Sequence, residues 1–199
     1  MSEDGADKGR RNFLIGANLV VGSVGAIGCA VPFIASFNPS AKALAAGAPI
    51  KVDVSKLGPG EILGPIPAWL DKPIFIVKRS DEMLGKLNSQ NTRLADPASD
   101  REQQPEYAKN DTRSIRPDIL VLVGLCTHLS CSPKFRPTLK PESFDPEWLG
   151  GFYCPCHGSK FDLAGRVYAS VPAPSNMEVP PHYFESDSVI VIGEDEGIA

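Results

Sequence analysis

The chain has 199 residues, 42% of them hydrophobic and 22% charged, which excludes a disordered tail and a polytopic membrane protein and suits one domain plus an extension. Against 24 Asp and Glu stand 20 Lys and Arg, a net charge of −4, so the overall basic footprint of a nucleic-acid binder is absent. Gly and Pro are abundant, at 18 and 19 residues, which disfavours a helical bundle and favours a loop-rich β fold.

Residues 1–12 are polar and end in Lys8, Arg10 and Arg11. Asn12 to Ala41 carries no charged residue and no His, and residues 13–37 are mostly apolar or small. A helix of about 20 such residues spans the hydrocarbon core, so 13–37 is expected to be a single transmembrane helix, kinked near its far end by Pro32. The basic flank predicts that residues 1–12 stay in the cytoplasm. Gly9-Arg10-Arg11-Asn12-Phe13-Leu14 resembles a twin-arginine export motif. A cleaved secretory signal is the alternative, with small-residue sites at Ala41-Lys42-Ala43 and Ala43-Leu44-Ala45. The apolar run exceeds the usual 7–15 residues of a signal, which favours an uncleaved anchor. Cys29, inside the run, reads as a small side chain facing lipid or a helix.

Residues 38–50, NPSAKALAAGAPI, read as a linker, with Ala favouring helix and Gly47 and Pro49 breaking it. Residues 51–199 suffice for one core. Within them Lys72–Lys78, Ile119–Val123 and Val189–Ile192 read as strands, with His182–Phe184 pairing with the last. Ser80–Gln90 reads as a helix with Asp81 and Glu82 in its first turn. The polar stretch Asn91–Arg116 is expected to be an exposed excursion, and residues 194–199 an acidic tail. No internal repeat is evident.

The chain holds five Cys and three His, and most fall in two short stretches. The first is Cys126-Thr127-His128-Leu129-Ser130-Cys131 and the second Cys154-Pro155-Cys156-His157-Gly158-Ser159. A lone Cys is most often a buried apolar residue, but two matching clusters point to a ligand. Zinc takes four N or S ligands, typically on C-x2-4-C knuckles; here the spacing is C-x-H and C-x2-H, and two Cys are left over. Two thiolates with two imidazoles also describe the 2Fe-2S centre in which His replaces Cys on one iron. His182 has no Cys companion and reads as an ordinary strand histidine.

The two stretches resemble the cluster-binding loops of the Rieske iron–sulfur proteins. The full layout of basic N-terminus, single span, linker and head is similar to that of the Rieske subunits of bacterial ubiquinol–cytochrome c reductases. The resemblance implies an all-β Rieske-type head on the N-terminal transmembrane helix. The head would be antiparallel sheets with a cluster-binding part over about 120–178. It implies one 2Fe-2S cluster, with Cys126 and Cys154 on the inner iron, His128 and His157 on the outer iron, and Cys131 and Cys156 in a disulfide between the loops. A disulfide suits a head on the periplasmic side of the bacterial inner membrane. The implied partners are a cytochrome b subunit, a c-type cytochrome subunit, ubiquinol and membrane lipid, in a dimeric complex. Ubiquinol would give its hydrogen bond and proton to His128 or His157, and its electron would pass to the c-type cytochrome, coupled to proton translocation. The chain is then a subunit of an oxidoreductase, not catalytic alone, and residues 38–50 are the hinge on which the head moves between partners.

Ser159 matches the family serine whose hydroxyl donates to a cluster sulfur. Phe161 stands where high-potential members carry Tyr. Ser130 stands where members often carry Gly and is expected to alter the loop. Val171-Pro172-Ala173-Pro174 resembles the Gly-Pro-Ala-Pro segment over the cluster, with Val in place of Gly, a departure that bears on how tightly the segment covers. The rival reading is an exported Rieske small subunit of a molybdenum oxidoreductase, acting as an electron carrier. A zinc-stapled protein without redox chemistry is the third.

Overall fold

The computed structural model describes residues 7–195, so most of the expected acidic tail and the first half of the N-terminal segment lie outside the described residues. The chain divides into two compact units, Met1–Ala45 and Ala46–Ala199.

The first unit is built on helix α1, Lys8–Ala35, with a mean hydropathy of 2.0 over its most apolar window. It opens earlier than the apolar run because Asp7 caps it, its Oδ1 accepting the Gly9 N–H at 2.9 Å, and because Lys and Arg are good helix formers. It closes at Ala35, before the expected end at residue 37. Pro32 lies inside α1 without ending it. At 1.5 Å per residue its 28 residues extend about 42 Å, enough to cross a bilayer. Every residue of α1 is exposed in the isolated chain, as lipid-facing side chains require. A short helix, α2, follows at Ala41–Ala46, with the Ala43 N–H donating to Ser40 Oγ at 3.2 Å.

The second unit is three antiparallel three-stranded sheets. The first sheet orders β1 (Ile50–Asp53), β9 (Val189–Ile192) and β8 (His182–Phe184). In the middle sheet β3 (Lys72–Lys78) lies between β2 (Ile62–Trp69) and β4 (Ile119–Val123). The third orders β5 (Lys134–Arg136), β6 (Gly151–Tyr153) and β7 (Lys160–Phe161). The four strands read from the sequence keep their bounds.

The middle sheet explains why β3 and β4 are continuous apolar runs rather than alternating ones. Side chains alternate across a strand. Ile74, Ile76, Ile119, Val121 and Val123 pack with Ile190 and Ile192 of β9. Phe75, Val77, Leu120 and Leu122 point the other way, onto Phe152, Phe161, Cys126 and Cys154. A sheet covered on both faces must be apolar on both. Gly151 permits the β6–β7 pairing: its φ is +140°, and a Cβ there would lie 2.0 Å from the Phe161 carbonyl oxygen.

The expected helix is α3, Asp81–Lys86, capped by Ser80, and it tightens into a 3-10 turn over Leu87–Arg93. The expected exposed excursion at 91–116 is instead partly core. Arg113 is fully buried, with its guanidinium donating to the carbonyls of Ala164 (3.1 Å) and Met177 (2.8 Å) and to Gln104 Oε1 (2.9 Å). Arg79 reaches the carbonyls of Pro117 (2.9 Å) and Thr112 (2.8 Å). Arg166, paired with Asp162, reaches Asn91 Oδ1 (3.0 Å) and the Pro97 carbonyl (3.1 Å). Polar composition misled because these buried charges bind backbone carbonyls, which composition does not register.

His182 is buried, with Nδ1 2.8 Å from the Pro180 carbonyl oxygen and Nε2 without a partner. Tyr107 packs its ring edge-on to the imidazole, and its hydroxyl accepts the His182 N–H at 2.8 Å. Burial pushes the His182 pKa below its ordinary value, against the opposing pull of the Pro180 carbonyl and Asp195. Below about pH 6.5 the unfolded chain therefore holds a proton that the folded chain refuses. Stability is expected to fall as the pH drops from about 7 toward 5, with a slope from this group of at most about 1.4 kcal/mol per pH unit. Urea denaturation against pH, compared with His182→Gln, checks this: the variant loses that part of the slope.

Candidate metal centre

The middle and third sheets present two loops. The first, Cys126–Cys131, lies between β4 and β5; the second, Cys154–Ser159, joins β6 to β7. Both fold alike. In the first loop the Cys126 N–H donates to the Cys131 carbonyl (2.7 Å) and the Ser130 N–H to the Cys126 carbonyl (2.9 Å). In the second the Cys154 N–H donates to the Ser159 carbonyl (2.8 Å) and the Gly158 N–H to the Cys154 carbonyl (3.0 Å). The fifth residue of each is left-handed, Ser130 at φ +58° and Gly158 at φ +76°. This is a six-residue structural repeat that inspection of the sequence missed. The signal was a leading Cys in each loop with a Ser or Gly, residues tolerant of tight turns, four positions later. Ser130 thus gives its loop the same backbone shape as the Gly158 loop. It keeps the conformation that Gly adopts easily, at the cost of strain.

The repeat places the first residue of each loop inward. Cys126 and Cys154 are 2% and 1% exposed, and both are free thiols. His128 is half-buried and His157 exposed, their rings edge-to-face with centroids 4.8 Å apart. Cys131 and Cys156 form the disulfide that joins the loops. The sulfurs of Cys131, Cys154 and Cys156 lie within 4.8 Å of one another. Two of these three are bonded to each other and offer no thiolate, so that grouping is not itself a ligand set. The donors left are two buried thiols and two imidazoles, a set that fits a 2Fe-2S centre of mixed ligation.

Burial pushes the Cys126 thiol up, while hydrogen bonds from the His128 backbone N–H and the Ser159 hydroxyl pull it down. The Ser159 hydroxyl is buried between Cys126 and the segment 171–175, and its oxygen accepts the Ala173 N–H at 3.1 Å. Thr127, which sequence reasoning passed over, fastens the other side of that cover, its Oγ1 donating to the Ser175 carbonyl at 2.7 Å. Val171 packs partly buried against two apolar clusters, one containing both thiols, a contact that a glycine could not make. Phe161 is fully buried in the same cluster as the two thiols. Cys29 lies on α1 and His182 on β8, outside the loops.

Residues 105–181 match the model of the Rieske [2Fe-2S] domain, and residues 1–40 that of the Ubiquitinol-cytochrome C reductase Fe-S subunit TAT signal. The ubiquinol-cytochrome c reductase iron-sulfur subunit of Allochromatium vinosum is 53% identical over 199 residues, covering 100% of this chain and 95% of that one. The chain belongs to the Rieske iron–sulfur subunits of that name. The Bradyrhizobium diazoefficiens subunit of the same name is 38% identical over 92% of this chain and 94% of its own. The Saccharomyces cerevisiae mitochondrial cytochrome b-c1 complex subunit Rieske is 34% identical over 94% of this chain and 77% of its own. The head is therefore an all-β Rieske domain, and its cofactor is one Rieske 2Fe-2S cluster.

The twin-loop geometry predicts opposite effects at equivalent positions. Ser130→Gly should raise stability by up to about 1 kcal/mol by relieving the left-handed strain, and Gly158→Ala should lower it by about 1 kcal/mol, although a Cβ there meets open space. Denaturation midpoints of the loaded variants check this. Ser159→Ala removes the donor to Cys126 and should lower the midpoint potential, whereas Phe161→Tyr should raise it. Redox titration reads both; no shift in either would sink the hydrogen-bond account.

Proposed function

We propose that the chain works in ubiquinol–cytochrome c reductase, taking an electron and a proton from ubiquinol and passing the electron to a c-type cytochrome. Cys126 and Cys154 are assigned to the inner iron and His128 and His157 to the outer iron. When bound, the cluster supplies a one-electron acceptor, which two neutral imidazoles in place of two thiolates make less negative and easier to reduce. The remaining roles belong to the side chains. His128 or His157 accepts the quinol hydroxyl and holds its proton at the ring nitrogen not bound to iron. Cys131–Cys156, Thr127 and Ser159 hold both loops and their cover in one arrangement.

The observation that carries this reading is the division between the loops' two sides: thiols inward, imidazoles outward. In the two loops and their cover, Leu129 is 66% exposed and Pro155, Pro172 and Pro174 are exposed. No charged residue occurs in Cys126–Cys131, Cys154–Ser159 or Val171–Ser175. Such a tip suits docking beside a quinol in a membrane-embedded cytochrome b subunit, where a buried charge would be costly. The apolar helix α1 then anchors the chain in the bacterial inner membrane, with Lys8, Arg10 and Arg11 on the cytoplasmic side and the head in the periplasm. The complex is dimeric in this reading.

Affinity purification of the full chain from solubilised membranes tests the assignment. Cytochromes b and c and quinol–cytochrome c reductase activity are expected together; a molybdopterin subunit instead would favour the carrier reading. Residues 38–50 are the proposed hinge. The six-residue α2 is too short to be stable by itself, so this segment can extend or coil. Ala43→Pro with Gly47→Pro should slow turnover about tenfold or more while leaving the cluster spectrum intact. Steady-state assays check this, and unchanged turnover would contradict it.

A further inference from the structure

We propose that the cluster protects the pairing of the disulfide beside it, and that a chain that has lost its cluster exchanges Cys131–Cys156 for Cys131–Cys154. The inference rests on the assignment of Cys154 as an iron ligand. Its physical basis is the gathering of sulfurs: Cys154 Sγ lies within 4.8 Å of both sulfurs of the disulfide. Cys154 is a free thiol in van der Waals surroundings that also hold the Cys126 thiol, and both are shielded from solvent. A thiolate exchanges with a disulfide by attacking one sulfur and expelling the other. Here reactant and target sit on loops already fastened together, so the reaction is intramolecular and needs only local loop movement.

The step balances without an outside oxidant or reductant. Once the loops move enough to admit solvent, the Cys154 thiol gives up its proton to it, and its sulfur bonds to Cys131 Sγ. The Cys131–Cys156 bond breaks and its electron pair leaves on Cys156 Sγ, which takes up a proton. Burial chooses the direction. Cys156 is exposed and Cys131 half-buried, so the departing thiolate is better solvated if it is Cys156. The product has one disulfide and two free thiols in this region, as before, but Cys154 can no longer hold iron. Iron ligation occupies the Cys154 sulfur and removes the attacking group. A head emptied of its cluster in an oxidising compartment thereby becomes unable to reload, which favours loading the cluster before export.

The full chain in detergent, cluster-loaded and iron-depleted by chelation, tests this. Free thiols are trapped by alkylation at intervals and the pairings mapped by tandem mass spectrometry, with circular dichroism reporting the fold. In the loaded chain Cys131–Cys156 should be intact and Cys126 and Cys154 unalkylated. In the depleted, folded chain the Cys131–Cys154 link should grow with time as Cys156 becomes alkylated, and Cys154→Ser should abolish the change. A depleted chain that keeps Cys131–Cys156, with Cys154 alkylated, overturns the proposal. So does a mixture including Cys29, which marks scrambling through the unfolded chain. Alkylation of Cys154 in the loaded chain overturns the ligand assignment itself.

Discussion

The Cys131–Cys156 bond joins two loops that enter the site from different sheets, and the rest of the head is organised around keeping them together. Each loop closes on itself by the same pair of backbone hydrogen bonds, so each delivers a leading Cys inward without help from the other. The disulfide then sets their mutual position. Below them, Phe75 and Leu122 of the middle sheet pack on the cluster of side chains that contains both thiols. Above them, the 171–175 segment is tied to one loop through Thr127 and to the other through Ser159. The two His rings are left facing outward at 4.8 Å.

A second constraint supports the first. The third sheet has strands of only two or three residues, two of them on either side of the second loop. It carries an ion-pair array centred on one buried carboxylate. Asp145, 1% exposed, accepts two hydrogen bonds from Arg93 and one from Lys160, and Arg93 and Lys160 both lie over the Tyr168 ring. These cations hold the Asp145 carboxyl below its ordinary range despite its burial. Lys160 directly follows Ser159, so the array steadies the base of the second loop.

The chemistry was more legible in the sequence than the architecture. Four Cys and two His stood in two short stretches, and ligand residues keep their identity whatever the fold around them. The strands of the middle sheet were readable because burial on both faces leaves unbroken β-branched runs at Lys72–Lys78 and Ile119–Val123. Strands β5, β6 and β7 were not, being two or three residues long. Their pairing depends on Gly151, whose lack of a side chain leaves no hydrophobic pattern. Residues 91–116 were misread because Arg113 is buried by hydrogen bonds to carbonyls, a long-range arrangement with no local signature. The shared backbone shape of the two loops was hidden because, after the leading Cys, their His and second Cys occupy different positions.

The proposed chemistry requires that His128 and His157 are both iron ligands at the exposed side of the site. Electron–nuclear double resonance of the dithionite-reduced full chain, grown with nitrogen-15 histidine, measures that directly. Two inequivalent, strongly coupled histidine nitrogens are predicted, falling away in a His157→Ala chain together with the Rieske signal. A full signal without coupled histidine nitrogens, or with unchanged coupling in that variant, would contradict it.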